Sequence, residues 1–343
     1  MPIRTAVLGF GRAGQLHHAL QTASSPDYSL DAIVTAHPER AALAGLRYPQ
    51  AAVLASAEDV WARSDDFDLV IIATPNITHV PLAMEAVRRG IAVAIDKPIA
   101  TGAAEAAGLL DAADRADVPV TVFQNRRWDG DFLTVRDIVE SGRIGEIHDF
   151  ESRFTWWEPN PEAGWKTRTP VREGGGTLYD LGPHLIDQAV LLFGPVERWH
   201  AEFDIRRPGV VSPDDALLAL THRSGVRSRL WMSCATPLSA PRFRLNGSQG
   251  GFTKNGLDPQ EAQAEAGLDP ADPRFGIDDP AAWGLIGTDG ATTPVETARG
   301  DYAAFYRQLA PALRGEGELP VDPRDSLDVL ALIEEISGTG EHA

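Results

Sequence analysis

The sequence predicts an α/β protein in two parts, a doubly wound parallel sheet followed by an α/β domain with a mainly antiparallel sheet. Three observations support this prediction. In the first third of the chain, short apolar runs alternate with helical patterns, and the first run leads into closely spaced glycines. Further along, several β patterns follow one another with short gaps. With 343 residues and 43% hydrophobic composition, the chain is long enough for two domains, which we place at residues 1–123 and 124–343.

The first domain is predicted to contain six strands separated by helical stretches. The run at 68–73 is strongly apolar, which is typical of a strand buried on both faces. The helical stretch after it ends at Gly90, because glycine readily adopts the left-handed conformation that terminates a helix. The predicted strands cover residues 3–8, 30–35, 51–54, 68–73, 92–96 and 118–123.

Residues 9–14 read Gly-Phe-Gly-Arg-Ala-Gly and connect the first strand to a helical stretch at 12–22. In such a turn the first glycine permits the tight bend, the second lets a pyrophosphate approach the backbone, and the third lets helix pack on strand. This context favours dinucleotide binding over an incidental glycine loop. His17 and His18 follow without a carboxylate or thiol at ligand spacing, so we interpret them as packing or surface residues. The candidate cofactor contacts are Gly9, Phe10, Gly11, Arg12, Ala13 and Gly14.

The second strand ends in Thr-Ala-His at 35–37, about twenty residues beyond the glycine turn. A carboxylate at this point would accept both ribose hydroxyls of NAD, and none is present in the sequence there. A 2′-phosphate is therefore not repelled, and side chains of this segment carry donors for it. The pattern favours NADP; NAD is the alternative, with Asp31 or Glu39 taking the ribose role from a displaced position. The candidate contacts are Thr35, Ala36, His37 and Arg40.

The predicted strand at 92–96 stops abruptly at Asp96-Lys97-Pro98, since proline cannot continue the ladder. In an open parallel sheet, ligands bind beyond the carboxyl ends of the strands, so a lysine at this point extends into the binding cleft. Lys97 is therefore the first candidate catalytic residue. The alternative is a solvated surface lysine, which is the ordinary situation for this residue type.

A polar and aromatic cluster at 124–129 begins the second domain, just after the sixth predicted strand. This position predicts that the cluster lies over the cleft. Asn125 and Arg127 are candidate contacts for the substrate or the nicotinamide. The alternative is a solvated loop between domains.

Residues 174–188 begin with three glycines and place Asp180 and His184 four residues apart, on one face of a helix. A carboxylate near an imidazole fixes its tautomer and supports its charged form, which suits a general base working near neutral pH. Pro183 predicts a kink or a second helix start. An ordinary surface hydrogen bond is the alternative interpretation of the pair.

The rest of the second domain combines β patterns with two late helices. A half-exposed strand at 144–157 precedes the further strands, which together predict a mainly antiparallel sheet. Residues 255–300 are rich in proline, glycine and aspartate and are predicted as loop. The other predicted strands cover 196–203, 216–221, 226–233 and 243–245, and the predicted helices cover 131–141, 302–313 and 326–337.

The charge balance argues against a nucleic acid or an anionic membrane as partner. The chain carries 31 basic and 49 acidic residues, a net charge of −18, whose long-range field repels both. The single cysteine, Cys234, cannot form an internal disulfide, and there is no apolar export segment or long membrane run. We therefore expect a cytoplasmic protein in which Cys234 is a small buried hydrophobe.

Three motifs resemble the Gfo/Idh/MocA oxidoreductases, the group of glucose-fructose oxidoreductase and inositol dehydrogenase. They are the glycine turn at 9–14, Ala-Thr-Pro-Asn-Ile-Thr-His at 73–79, and Asp-Lys-Pro at 96–98. The resemblance covers essentially the whole chain, and the glycine, aspartate and histidine pattern at 174–184 also matches. The family usually has Glu-Lys-Pro, so Asp96 is a variant one carbon shorter. The further cofactor contacts that the resemblance implies are Thr74, Pro75, Asn76, His79, Asp96, Lys97 and Asn125.

The resemblance implies a Rossmann domain followed by an α/β domain whose large, mostly antiparallel sheet covers the nicotinamide and often forms the oligomer interface. The segments at 125–129, 179–188 and 256–261 further resemble the branch of NADP-linked scyllo-inositol dehydrogenases and related sugar reductases. A homodimer or homotetramer is expected. The sheet face away from the helices should expose apolar residues that a partner subunit covers, and the candidates are Leu217, Leu230 and Trp231.

The expected reaction is the reversible, metal-independent oxidation of a secondary alcohol on a cyclic polyol or sugar, with hydride passing to the nicotinamide. His184 would take the hydroxyl proton, Lys97 would stabilise the developing alkoxide, and Asp180 would orient His184 or bind a neighbouring hydroxyl. Whether Lys97 or His184 accepts the proton first stays open. The alternatives are a non-catalytic NADP-binding regulator, a sugar or dihydrodiol reductase, and transfer chemistry that recycles a retained cofactor. The candidate substrate contacts are Lys97, Asn125, Arg127, Trp165, Tyr179, Asp180 and His184.

Overall fold

The computed structural model describes residues 1–161 and 165–339, apart from the side chains of residues 165, 166, 172 and 339. The chain divides into two compact units. The first contains Met1–Asn125 and takes in two later segments, Gln260–Phe275 and Asp301–Leu330. The second unit contains Arg126–Pro259, Gly276–Gly300 and the described residues from Ala331 on. The sequence offered no local signal that segments after residue 123 belong to the first unit.

The first unit contains a six-stranded, entirely parallel sheet in the order β3-β2-β1-β4-β5-β6. This arrangement confirms the predicted doubly wound sheet. The Leu-Val-Ile-Ile run of β4 is completely buried, as a central strand covered on both faces requires. The strands are β1 (Ile3–Leu8), β2 (Tyr28–Val34), β3 (Ala52–Leu54), β4 (Leu69–Ile72), β5 (Ala92–Asp96) and β6 (Val120–Phe123).

Helices connect these strands and differ from the predicted ones in detail. The predicted helix at 12–22 begins as a wider, π-helical turn over Gly14–Ala19 before it becomes α-helical. A capping box formed by Ser56 and Asp59 fixes the start of the third helix, and Gly90 follows the fourth with φ +72°. The helices are α1 (Leu20–Ala23), α2 (Pro38–Arg47), α3 (Ala57–Trp61), α4 (His79–Arg88) and α5 (Ala103–Ala116).

The second unit contains an eight-stranded sheet in the order β14-β13-β12-β11-β7-β10-β9-β8. Every neighbouring pair is antiparallel except β7 and β10, which confirms the mostly antiparallel second sheet. The strands are β7 (Ile147–Thr155), β8 (Val196–Asp204), β9 (Asp215–His222), β10 (Arg227–Ser233), β11 (Phe243–Gly247), β12 (Gly251–Lys254), β13 (Gly284–Thr288) and β14 (Ala291–Val295). The helices of this part are α6 (Gly130–Glu140), α7 (Trp165–Arg168) and α8 (Thr177–Phe193).

One face of this sheet packs against α8, which contacts β7, β9 and β10. Residues alternate between the faces, so Leu230 is completely buried while Leu217 is 37% exposed. The prediction that Leu230 shares the open face with Trp231 was therefore wrong, because adjacent residues of a strand point to opposite faces. Leu217 and Trp231 are paired across β9 and β10 and share the face opposite Leu230.

Residues 255–300 contain regular structure that the sequence pattern did not indicate. Besides β13 and β14, this part includes the short helix α9 (Gln260–Glu265). The helix is polar along most of its length, and the two strands are mostly exposed. None of the three elements therefore shows the regular spacing of apolar residues that marks a buried helix or strand. The last helices, α10 (Ala303–Leu313) and α11 (Pro323–Thr339), lie where the sequence placed them. α11 begins earlier than predicted, at a proline, which is favoured in the first turn of a helix.

Candidate active site

The strands of the first sheet end along one edge, and most of the predicted cofactor contacts follow these ends directly. Leu8 pairs with both Val34 and Ile72, and the last residue of β5, Asp96, pairs with Phe123. The segments that leave β1, β2, β4, β5 and β6 therefore start side by side. This is the edge at which open parallel sheets bind ligands.

The glycine turn has the close backbone approaches that its pattern requires. Gly9 has φ +97°, and a Cβ placed on it would lie 2.4 Å from the Ala73 carbonyl oxygen. A Cβ on Gly14 would lie 2.0 Å from the Gly9 carbonyl oxygen. Both positions therefore exclude any larger residue, and the turn stays compact against Ala73, directly after β4. Backbone N–H groups at the start of the helical turn remain suited to a phosphate.

Two side chains of the turn have partners inside the first unit. Phe10 is buried and its ring meets that of Tyr48 edge to face, with centroids 6.2 Å apart, so only its backbone faces the edge of the sheet. The Arg12 guanidinium is held by two carboxylates of α9, those of Glu261 and Glu265. Ala13 begins the helical backbone conformation.

The segment after β2 carries the predicted determinants of cofactor choice. Thr35 donates its N–H to Leu54 and accepts the His37 N–H through Oγ1 at 3.3 Å. Ala36, His37 and Arg40 are exposed. Arg40 Nη1 lies 3.9 Å from the point that a Cβ on Gly11 would occupy, so this guanidinium borders the glycine turn.

The alternative carboxylates are less well placed. Asp31 lies inside β2 and accepts the Ser29 hydroxyl at 2.6 Å. It is therefore several residues before the end of the strand. Glu39 lies in the first turn of α2 and is exposed.

The segment after β4 forms a turn tied together by its own side chains. The Thr74 and Thr78 hydroxyls lie 2.6 Å apart, and Thr78 also donates to the Pro75 carbonyl. Pro75 is exposed and Asn76 is half-buried, so both are accessible to a ligand at this edge.

His79 is buried and connects two edge segments. Its Nδ1 lies 2.8 Å from the Pro98 carbonyl oxygen and its Nε2 lies 2.9 Å from that of Thr74. Burial lowers the pKa of His79, although both carbonyls and Asp96 oppose this effect. The side chain predicted to contact the cofactor thus lies between the backbone of the segment after β4 and that of Pro98, next to Lys97.

Lys97 is half-buried and immediately follows β5, and its peptide bond to Pro98 is cis. Its N–H donates to Asp96 Oδ1 at 3.0 Å. Burial raises the pKa of Asp96, but the proximity of His18, whose Nε2 lies 3.7 Å from Oδ1, and the charges of Lys97 and His17 outweigh it and keep the pKa below its ordinary value. An ionised Asp96 therefore fixes the backbone at Lys97.

His18 is a site residue that sequence reasoning missed. It is completely buried, with Nδ1 2.6 Å from the Tyr306 hydroxyl and Nε2 3.7 Å from Asp96 Oδ1. The interpretation of His17 and His18 as packing residues is right about burial, since both are buried. It overlooked their charge interaction with Asp96, because the two segments are adjacent only in the folded sheet.

Asn125 follows β6 and is buried, at the start of a 3₁₀ turn over Asn125–Trp128. Its neighbour Gln124 donates to the Ser326 hydroxyl at 3.3 Å. Asn125 is thus the last residue of the first unit at the same edge as Lys97.

Helix α8 carries the candidate residues of the second unit. Gly176 precedes it with φ +90°, and the helix runs without interruption through Pro183. The predicted second helix start is therefore absent, and Asp180 and His184 lie one turn apart on one helix. His184 is buried and Asp180 is half-buried.

Tyr179 lies in the same first turn and is buried. Its hydroxyl is 3.4 Å from that of Ser337, and burial raises the pKa of the phenol. Trp165 also belongs to the predicted substrate contacts, but its side chain lies outside the described residues.

Arg127 is held by α8. Its Nε and Nη2 donate to the two oxygens of Asp187 at 2.8 and 2.6 Å, and the two side chains are only 11% and 3% exposed. Asp187 lies three residues after His184 on the same helix. The guanidinium predicted as a ligand contact therefore has a fixed orientation set by a buried ion pair.

An aromatic ring packs against His184, and two arginines pack against that ring. The Phe154 ring lies edge to face with the imidazole, with centroids 6.2 Å apart. The guanidinium carbons of Arg242 and Arg126 lie 4.0 and 5.3 Å from the centre of the same ring. Phe154 therefore packs against the imidazole on one side and guanidinium cations on others.

A parallel sheet whose edge carries a glycine turn, a strand-terminal lysine and buried imidazoles defines a dinucleotide-binding α/β protein of the oxidoreductase class. Residues 3–124 match the oxidoreductase family with an NAD-binding Rossmann fold, and residues 132–253 match the GFO/IDH/MocA C-terminal domain. The chain belongs to the Gfo/Idh/MocA family. This membership confirms the sequence-based assignment to NAD(P)-dependent dehydrogenases acting on CH–OH groups.

Similar proteins share nearly the whole architecture. The chain is 30% identical over 336 residues to the scyllo-inositol 2-dehydrogenase (NADP(+)) IolW of Bacillus subtilis, covering 97% of this chain and 92% of that protein. It is 29% identical over 296 residues to the D-apiose dehydrogenase of Paraburkholderia graminis, covering 84% and 72%. The solved structure of yvaA from Bacillus subtilis matches with a TM-score of 0.91 at 29% identity, covering 99% of this chain and 96% of that chain.

No helix in the described part of the chain is both long and apolar enough to cross a membrane. Within residues 1–161 and 165–339, no group of three histidine, cysteine or acidic side chains is placed to hold a metal ion. Cys234 is buried, as predicted, and burial raises the pKa of its thiol to about 11.

Proposed function

We propose that this protein is an NADP-dependent oxidoreductase that transfers a hydride between the nicotinamide and a secondary alcohol of a cyclic polyol or sugar, of the inositol type. The observation that carries the proposal is the position of Lys97 at the end of β5, on the same sheet edge as the glycine turn. The similarity to a scyllo-inositol dehydrogenase that uses NADP supports the substrate class and the cofactor.

The residues present fit a dinucleotide. A Cβ on Gly9 or Gly14 would collide with the backbone, so the turn is tightly folded. At Gly11 the neighbouring group is Arg40 Nη1, 3.9 Å from the Cβ point. A phosphate can therefore approach the backbone at Gly11 with a cation beside it. Thr35 and His37 add donors for a 2′-phosphate. Thr74, Pro75, Asn76 and Asn125 contact the nicotinamide side in this proposal, while Phe10, His79 and Asp96 act through the backbone they fix.

A bound nicotinamide would supply the hydride acceptor for oxidation of the alcohol carbon and the hydride donor for reduction of the ketone. Lys97 donates a hydrogen bond to the reacting oxygen and stabilises its alkoxide character. His184 takes the hydroxyl proton in the oxidative direction, and Asp180 orients His184 or binds a neighbouring hydroxyl. The first proton acceptor is either Lys97 or His184.

The remaining substrate contacts determine which polyol fits. Asn125, Arg127 and Tyr179 contact the substrate in this proposal. Arg127 supplies a rigid donor because Asp187 fixes its orientation, which suits a substrate with several hydroxyls in defined positions.

A non-catalytic NADP-binding regulator on the same fold is the second candidate function. It would have no need of a lysine at the strand end or of an imidazole on α8, and the chain has both. A sugar or dihydrodiol reductase of the same family differs only in the substrate.

We also propose that the protein is cytoplasmic and forms a homodimer or a tetramer of dimers. The face of the second sheet that carries Leu217 and Trp231 is partly exposed, and a second copy of the chain would cover it.

The deciding experiment is a substrate screen with purified protein. NADP and NAD are each tested against inositols and common sugars, with the absorbance of the reduced nicotinamide as readout. We expect reduction of NADP by at least one polyol or sugar. Tight NADP binding without turnover of any polyol or sugar, in either direction, would instead favour the regulator.

A further inference from the structure

Helix α9 contacts the glycine turn, although 249 residues separate Arg12 from Glu261. Arg12 donates its Nε to Glu265 Oε1 at 2.8 Å and its Nη2 to Glu261 Oε2 at 3.1 Å. His17, one turn further along the first helix, has its Nε2 3.6 Å from Glu261 Oε1. Two carboxylates thus share the one cation of the glycine turn.

These ion pairs are not what attaches α9 to the first unit. Leu16 forms a buried apolar cluster with Ala264 and Phe275, and two further leucines pack against it. Burial of apolar surface is a larger stabilising effect than an exposed ion pair, and the Arg12 side chain is 61% exposed. The carboxylates therefore affect mainly the position and availability of the guanidinium.

The position of Arg12 gives this arrangement a consequence for the cofactor. Arg12 lies between Gly11 and Gly14, in the turn where a dinucleotide phosphate approaches the backbone. A guanidinium there is a natural donor to phosphate. In this structure its Nε and Nη2 are directed to carboxylates, which also add negative charge next to an anionic ligand.

We propose that Glu261 and Glu265 compete with the cofactor phosphate for Arg12, so that α9 weakens cofactor binding and speeds cofactor release. This inference rests on the proposed nicotinamide-dependent function. The two glutamates would be positioning residues that act through Arg12. They would set how long the oxidised or reduced cofactor stays bound between turnovers.

The test is the double variant Glu261→Gln/Glu265→Gln, which removes both charges and keeps the size of each side chain. Its NADPH affinity is measured by fluorescence titration and its NADPH release by stopped flow. We expect binding roughly 3- to 10-fold tighter, mainly through slower release, because two exposed charge interactions change together. The gain should shrink at high ionic strength, where exposed charges are screened.

The matched control is Asp269→Asn/Asp272→Asn. It changes the charge by the same amount in the same segment, but Asp272 pairs with Arg274 and Asp269 accepts the Ala271 N–H. This control should alter the NADPH affinity by less than about 2-fold. An equal gain in NADPH affinity in the control would show that the effect comes from net charge alone, which would overturn the proposal.

A double-mutant cycle with Arg12→Gln distinguishes competition for the Arg12 guanidinium from direct repulsion between the two glutamates and the cofactor phosphate. If the glutamates act by holding Arg12, their removal should give little or no gain once Arg12 is gone. A gain that persists or grows with Gln at position 12 overturns the proposal, as does weaker NADPH binding by the double variant. A wild-type protein that binds no nicotinamide nucleotide would refute the proposed function itself, and this inference with it.

Discussion

The ion pair between Arg127 and Asp187 permits a quantitative test of how the second unit is stabilised. Both side chains are nearly buried, and two hydrogen bonds of 2.8 and 2.6 Å join them. Asp187→Asn removes the charge but preserves the size, so the guanidinium loses the carboxylate that accepts two of its hydrogen bonds. Breaking a buried pair in this way costs about 3–5 kcal/mol. Because Arg127 keeps 11% of its side chain exposed, we expect a loss near the lower end, about 3 kcal/mol.

Urea unfolding followed by tryptophan fluorescence and circular dichroism measures this loss. With a urea dependence of about 2 kcal/mol per molar, the midpoint should fall by roughly 1.5 M. The control is Asp68→Asn, which breaks a similarly bonded pair with Arg4 whose side chains are 45% and 46% exposed. That exposed pair should contribute less than about 1 kcal/mol.

A midpoint for Asp187→Asn that falls no further than that of Asp68→Asn would refute the reasoning. The double variant Arg127→Met/Asp187→Leu separates stability from substrate binding, since it removes both charges of the pair together. It should recover more than half of the lost stability. If Arg127 contacts the substrate as proposed, the recovered protein should still show a raised KM, whereas an unchanged KM would leave Arg127 a purely structural role.

The other predictions concern the cofactor, the chemistry and the assembly. Thr35→Asp should shift the cofactor preference from NADP toward NAD, because the new carboxylate repels the 2′-phosphate. Arg40→Ala should weaken the binding of NADP more than that of NAD in fluorescence titrations. Equal losses of affinity for the two cofactors would make Arg40 a surface residue only. Lys97→Ala and His184→Ala should each lower turnover by about 10² to 10⁴ with NADP affinity little changed, and the double variant should fall well short of the product of the two losses. If His184 is the base, the wild-type rate should rise with pH near neutrality, since an imidazolium cannot accept a proton, and His184→Ala should remove this rise. A His184→Ala variant that keeps both its turnover and this pH dependence would show that His184 has only a structural role. Trp231→Glu should convert the oligomer into smaller species in light scattering, and a wild-type monomer at micromolar concentration would contradict the proposed interface.

Sequence reasoning correctly located residues that directly follow the end of a regular element. The position of Lys97 could be predicted because a buried strand with a proline just beyond it leaves few choices of where the chain goes next. The same holds for the glycine turn, whose steric demands are local and are met by the approaches at Gly9 and Gly14. Helices and strands with regularly spaced apolar residues were located to within a few residues, because this signal is also local in the sequence.

It failed where the relevant contact joins distant segments or where no apolar period exists. Nothing near Arg12 indicates that its partners lie in α9, a polar helix in a stretch rich in proline and glycine. In the sequence, Arg127 looks available to bind a ligand. Its ion pair with Asp187 forms only when the unit folds. The grouping of Leu230 with Trp231 was an error of another kind, because strand geometry alone forbids it.

His79 shows how a motif can be right about location and incomplete about effect. Its two ring nitrogens each face a carbonyl oxygen, of Pro98 and of Thr74, but a neutral imidazole carries only one N–H. Burial lowers the pKa of His79, which favours this neutral form and hence a single donated bond, whose recipient depends on the tautomer. The residue can therefore fix firmly either the segment after β4 or the backbone next to Lys97, and protonation is required to fix both at once. The imidazole of His79 thus acts on this edge of the sheet through main-chain carbonyls, which no pattern of side chains along the sequence reveals.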